Sequence, residues 1–187
     1  MKSNDNFATE GLSGTYKQVV FSQRFGETIL GKRPRRKNGT DRSAAQKRVI
    51  ATFKKAVLYA NSVMADTVRR AAYQFHIKPG QSAFNRAIAD FFKPPVFEEI
   101  DSSGYNGQIG STLIVSVMDD FQVASVMARI EKGDGTLIEE GDASLLPDGS
   151  SWMYVSSVQN STVAGTTIIF TAKDLPGHSS TQTKTIS

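Results

Sequence analysis

Two adjacent prolines, Pro94 and Pro95, split this chain into halves that obey different periodicities. Neither can donate a backbone hydrogen bond and neither fits a helix interior, so no regular element runs through them. Before them, Val49, Phe53, Val57, Ala60, Met64, Val68, Ala71 and Phe75 recur at steps of three and four. That spacing predicts a long amphipathic helix over roughly residues 43–75. Ser43 followed by Gln46 fits a capping box at its start, and Pro79-Gly80 ends it. Ser82 can cap a second, short helix with Phe84, Ile88 and Phe91 on one face. After the prolines the helical period is lost. "STLIVSVMD", "QVASVMARIEK", "GTLIEEG", "SSWMYVSSV" and "TTIIFTAKD" read as strands, with turn signals at residues 133–135, 147–149 and 176–178. Short strands so spaced predict an antiparallel β-sandwich of about seven strands. Ala124, Val126, Ala128 and Ile130 share one face, Trp152, Tyr154 and Val158 another, and both sets are expected to point inward.

Upstream of the helix, residues 1–15 are polar and read as a flexible arm. Lys17–Gln23 and Glu27–Lys32 then form a hairpin with Gly26 in its bend. The fold class expected is therefore α+β: hairpin, long helix, short helix, then sandwich. A helix of about 33 residues would extend ~50 Å, more than the sandwich can cover. Either it breaks near Asn61–Ser62, or part of its apolar face meets another chain.

Charge follows the same division. Residues 1–100 hold 18 Lys+Arg against 8 Asp+Glu, a net of +10, and residues 101–187 hold 4 against 10, a net of −6. Between Lys17 and Lys55 there are twelve basic residues and two acids, Glu27 and Asp41. The candidate partner- or phosphate-binding residues are Lys32, Arg33, Arg35, Arg36, Lys37, Arg42, Lys47, Arg48, Lys54 and Lys55. Lys47, Arg48, Lys54 and Lys55 fall on the helix face opposite Val49. The candidate acidic counter-surface is Asp119, Asp120, Glu131, Asp134, Glu139, Glu140 and Asp142, alongside Asp101 and Asp148.

The sequence offers little chemistry. It has no cysteine, so disulfides, zinc-thiolate sites and thiol nucleophiles are excluded. His76 belongs near a helix C-terminus and His178 in a turn, both in structural roles. No G-x-S-x-G, P-loop or G-x-G-x-x-G is present. Asp119-Asp120 with Asp134 or Asp174 suggests calcium on paper, but no EF-hand spacing supports it, and a solvated turn is the expectation. No cofactor, metal or small-molecule substrate is expected, and the chain reads as non-enzymatic. No run is long and apolar enough to span a membrane, and "MKSNDNFATEG" lacks the apolar core of a signal peptide. A cytoplasmic or particle- or virion-associated protein is expected.

"VMARIEKGDGTLIEEGDAS…DGSSWMYV…GTTIIFTAKDLPGHSS" resembles the Ig-like modules of bacterial proteins, with the Asp174, Gly177 and His178 turn before the last strand. The resemblance covers about residues 96–187 and implies an Ig-like sandwich used for spacing or contact. The whole chain also resembles a group of uncharacterised Bacteroidota proteins, in which a basic hairpin precedes a helix. Gly31, Lys32, Pro34, Arg35, Thr40, Gln46, Arg48 and Phe53 carry that likeness. It implies architecture and no activity. The expected organisation is an arm at 1–15, a basic hairpin–helix module at 16–95 and an Ig-like sandwich at 96–187. A basic head facing an acidic sandwich on the next molecule points to self-assembly into an oligomer, shell or filament. The N-terminal arm suits strand addition across a sheet edge. The alternative is non-specific binding of nucleic acid in a phage or mobile-element setting, since phosphates attract such a patch without a sequence code.

Overall fold

The computed structural model describes residues 2–3, 9, 11–24, 26–34 and 42–187. It is mixed α+β, with three helices and three four-stranded antiparallel sheets. Its internal contacts separate two compact units, Met1–Ala51 and Thr52–Ser187. The dividing line thus lies inside a helix and not at Pro94-Pro95, so the helices after Thr52 belong with the sandwich.

In the first unit, β1 (Lys2–Ser3), β2 (Gly14–Tyr16), β3 (Val19–Arg24) and β4 (Glu27–Lys32) form a sheet in the order β1-β4-β3-β2. The expected hairpin is β3–β4, and Gly26 has the left-handed φ of +80° that its bend requires. The stretch expected as an arm instead adds a strand to each side of the hairpin. Tyr16, Val19, Phe21 and Leu30 share one face, because Tyr16 lies opposite Val19 and Phe21 opposite Leu30. Among the described residues of this unit only Thr28 is buried, and no apolar side chain is.

Helix α1 (Ala44–Ala65) opens with the expected capping box: Gln46 N–H donates to Ser43 Oγ at 3.2 Å and Ser43 N–H to Gln46 Oε1 at 3.0 Å. The expected single helix ends early. Asp66 leaves helical geometry and its Oδ1 accepts from the N–H groups of Val68 and Arg69, capping α2 (Thr67–Phe75). The carboxylate satisfies donors that a new helix start leaves open, and this wins over continuation. The break falls beyond Asn61–Ser62, since Ser62 Oγ turns back to Tyr59 O inside the helix. Helix α3 (Ala83–Phe91) is capped by Ser82, as expected. Ala60, Val63, Tyr73 and Ala87 form the helical core, against which Phe84, Ile88 and Phe121 pack.

The sandwich has eight strands. β5 (Val96–Asp101), β6 (Thr112–Met118), β10 (Ser151–Val155) and β9 (Ser144–Leu145) form one sheet in the order β5-β6-β10-β9. β12 (Ser179–Thr185), β11 (Thr167–Asp174), β7 (Val123–Glu131) and β8 (Leu137–Asp142) form the other, in the order β12-β11-β7-β8. Lettered along the chain, these are ABED and GFCC′, an immunoglobulin arrangement. The two-residue β9 raises the count above the expected seven. Alternation along the strands builds the core: Leu113, Val115 and Val117 face Val126, Ala128 and Ile130, with Trp152, Tyr154, Ile168, Phe170 and Ala172. Ala124 and Val158 depart from the expected inward sets and are exposed. All three turn signals fall between strands, and Gly135, Gly149 and Gly177 have positive φ there. At one side, Lys184 Nζ on β12 donates to the Ile100 carbonyl of β5 at 2.6 Å, tying together the edge strands of the two sheets. Among the described residues no helix is long and apolar enough to cross a membrane.

Candidate functional site: a polar clasp and an uncovered basic helix

A polar cluster lies where α2 and α3 meet the β6–β7 loop. Helix α3 positions Arg86 and Asp90 one turn apart on the face toward that loop, and both are buried. The Arg86 guanidinium donates through Nη1 to Asp120 Oδ2 and through Nη2 to the Asp120 carbonyl. Lys93 Nζ donates to Asp120 Oδ1 at 2.8 Å from a far more exposed position. The Lys93 ammonium first, and then the Arg86 guanidinium, hold the Asp120 carboxyl below its ordinary range against the opposing effect of burial.

Asp90 is 1% exposed and ends a directional chain. Tyr73 donates its hydroxyl to Asp90 Oδ2 at 2.5 Å, which leaves Tyr59 to donate to the Tyr73 oxygen at 2.8 Å. Asp90 Oδ1, Asp119 Oδ2 and Arg86 Nε are buried there without a hydrogen-bond partner among the described residues. Burial pushes Asp90 up to about 6, with the charges of Asp119 and Asp174 adding to it and the Tyr73 bond and Arg86 opposing. Burial raises Asp119 and Tyr73 as well. The Phe121 ring stacks on Tyr73 at 4.0 Å, and His76 meets its edge at 5.2 Å. His178 stands edge-on to Phe91 of α3 at 4.8 Å, held by Asp174, whose carboxylate accepts from His178 N–H at 2.6 Å and from Nδ1 at 2.9 Å. His76 sits at the α2 C-terminus with Nδ1 against Ala72 O at 3.0 Å. These groups join helix to sandwich, and Asp90 is too deeply buried to meet a substrate. Among the described residues no group of three or more His, Asp or Glu side chains is placed to hold a metal ion.

The expected acidic counter-surface is largely occupied within the chain. Asp119 and Asp120 are part of the clasp, not a solvated turn. Glu139 is buried, which corrects its assignment to the surface: it accepts from Tyr154 and Ser157 hydroxyls at 3.0 and 2.9 Å, Ser156 Oγ at 2.5 Å and the N–H of Ser157 at 2.8 Å. Burial pushes its carboxyl up, but the bonds from Ser156, Ser157 and Tyr154 outweigh that and hold it below its ordinary range. Tyr154 is in turn pushed up to about 12 by burial and by Glu139. Glu131 and Glu140 both pair with Arg129, at 2.7 and 3.0 Å. Asp134 and Asp142 are exposed, although Asp134 also accepts from Thr136 N–H in its turn.

The basic candidates are distributed differently. Arg35, Arg36 and Lys37 lie outside the described residues. Lys32, Arg33, Arg42, Lys47, Arg48, Lys54 and Lys55 are all exposed. Lys47 and Lys54, and likewise Arg48 and Lys55, stand seven residues apart on α1, so they align in a stripe about two turns long. On the opposite face Ala56, Ala60 and Val63 are buried, whereas Val49 and Phe53, which continue that line, are exposed. Sequence reasoning missed Arg86, Asp90 and Tyr73. No short-range signal marks them, because the partners of Arg86 and Asp90, Asp120 and Tyr73, lie 34 and 17 positions away. No known protein family, curated protein or solved structure matches the chain.

Proposed function

We propose that this is a non-enzymatic structural protein that self-assembles, with the N-terminal sheet as the primary contact between copies. One observation carries the reading. Among the described residues of Met1–Ala51, no apolar side chain is buried, although Tyr16, Val19, Phe21 and Leu30 line one face of the sheet. A sheet gains stability by covering its apolar face with a second layer. Among the described residues Tyr16 and Val19 are exposed and Phe21 and Leu30 are half-buried, and a two-fold pairing of this face between copies supplies a second layer to both. The acidic sandwich contributes less than its composition implies, because Asp120, Glu131, Glu139 and Glu140 already serve internal partners.

Light scattering on nuclease-treated protein across a concentration series tests this. The expected result is a dimer that Val19→Asp converts to monomer with an unchanged melt of the sandwich. A wild-type monomer throughout the series overturns the reading.

The exposed stripe of Lys47, Arg48, Lys54 and Lys55 supports a second function, non-specific binding of nucleic acid. Its backbone-only contacts predict retention on DNA or RNA that weakens steeply with salt, with a shallower slope after Lys47→Glu and Lys54→Glu. Binding that is insensitive to salt excludes it.

A further inference from the structure

The second unit carries an aromatic knob and, on different elements, an apolar hole. Phe75, the last residue of α2, is 86% exposed. It shares an outward face with Val68, Ala71 and Ala72, none of which is covered. The ring is held in place by an edge contact to His76 at 5.2 Å, and His76 is itself held against Phe121. The hole is a groove of about 450 Å³ lined chiefly by Phe92, Pro94, Val96 and Met118, with Lys93 and Asp120 at its side. Phe92, Val96 and Met118 are large apolar side chains left exposed along it, and Phe53 stacks on Phe92 at 6.5 Å.

The surroundings of the two features are complementary in charge. Lys78 follows Phe75 by three residues and pairs with no carboxylate among the described residues, whereas Arg70 lies about 140° around the helix from Phe75 and faces elsewhere. Glu98 and Glu99 follow Val96 on β5, are exposed, and likewise have no cationic partner there. A knob followed by a lysine therefore meets a hole lined by Asp119 and followed by Glu98 and Glu99. Because knob and hole lie on different elements, a contact between them is not self-complementary. Each molecule offers one of each, and such a contact propagates.

We infer that Phe75 of one copy docks in the Phe92–Pro94–Val96–Met118 groove of the next, and that this head-to-tail contact extends the assembly beyond the dimer. The inference rests on the self-assembly reading, but it uses different residues from the sheet contact and can fail separately. A few buried anchors supply most of the energy of a protein contact, while opposite charges at the rim set its orientation and its rate.

Sedimentation velocity on full-length wild type, Phe75→Ser, Met118→Arg and an equimolar mixture of the two variants tests it. Wild type is expected to grow past the dimer as concentration rises. Each variant alone should stop at the dimer, or need at least about tenfold more protein to grow, as expected when one anchor is lost. The mixture should grow again, because Phe75→Ser dimers keep their holes and Met118→Arg dimers keep their knobs. Growth of either variant at the wild-type concentration, a mixture that stays dimeric, or a wild type that stops at the dimer overturns the inference and leaves the sheet contact standing. A wild type that is monomeric throughout overturns both.

Discussion

Of the three buried carboxylates in the second unit, Asp90, Glu139 and Asp174, the first two are treated by their surroundings in opposite ways. Glu139, among the sandwich strands, receives backbone and hydroxyl donors on both oxygens and is held below its ordinary range. Asp90, in the clasp, receives one tyrosine on one oxygen, has none on the other, and is pushed up to about 6. Burial alone does not decide what a buried acid contributes. The count of donors aimed at it does, because an unmet acceptor keeps its full desolvation cost.

The largest break in this comparison is Glu139→Ala. It removes the acceptor of the buried Tyr154 hydroxyl and of the part-buried Ser157 and Val158 N–H groups, while the Ser156 hydroxyl keeps the Val158 carbonyl, so a loss of about 3 kcal/mol is expected, at roughly 1–3 kcal/mol for a buried donor and less for the others. Urea unfolding measures it, and a loss below about 1 kcal/mol would show that water replaces the carboxylate there.

Asp90→Asn should act in the other direction. The folded pKa of Asp90 lies above its ordinary 3.8, so the folded state holds that proton more tightly than the unfolded one. The stability it contributes rises as pH falls from about 6 toward 3.8, and the penalty is complete above 6. The full shift corresponds to at most about 3 kcal/mol. The neutral variant should therefore be more stable than wild type by about 1–2 kcal/mol at pH 8 and equal to it near pH 4, allowing for a weaker bond from Tyr73. Glu139 titrates with the opposite sign. Its contribution is present above its ordinary 4.5 and is lost as pH falls through its depressed value. Calorimetry of wild type from pH 8 to 3 should show a maximum on the acid side of 6; a melt that falls steadily from pH 8 contradicts the assignment of Asp90.

The smallest effect sharpens the picture of the clasp. Lys93 shares Asp120 with Arg86, but its side chain is 60% exposed. Lys93→Ala should cost no more than about 1 kcal/mol, the range of exposed pairs, and should lose that cost in high salt. A larger, salt-independent loss would mean that Lys93 and not Arg86 fixes the loop.

Local features of the fold were legible in the sequence. The Ser43–Gln46 box, the Ser82 cap, the β3–β4 hairpin and the three sandwich turns depend on neighbours in the chain and lie where the residues place them. Trp152 and Tyr154 face inward as alternation requires. The Asp66 cap was not legible, because an aspartate inside an apolar period becomes a cap only if the chain bends there. The polar centres were not legible. Glu139 sits in "GTLIEEG", where an acid normally faces solvent, and a register shift in β7–β8 between Ile130 and Glu131 accompanies its inward turn. Its donors come from residues 154–158, and the pairing of Arg86 with Asp120 spans 34 positions. Such partners are chosen by tertiary packing, and no short-range spacing announces them.

The tie from Lys184 to the Ile100 carbonyl has a consequence for misfolding. β12 is rich in serine and threonine, carries one charge and lies at the rim of its sheet, the type of strand onto which stray chains add during aggregation. With its ammonium turned onto β5, the strand holds a cation against the rim, and a stray strand docking at Ile100 would have to displace it and leave it without its acceptor. The same lysine that joins two sheets thus places a cation at the seam between their edge strands, the kind of charge that discourages strand addition at that rim.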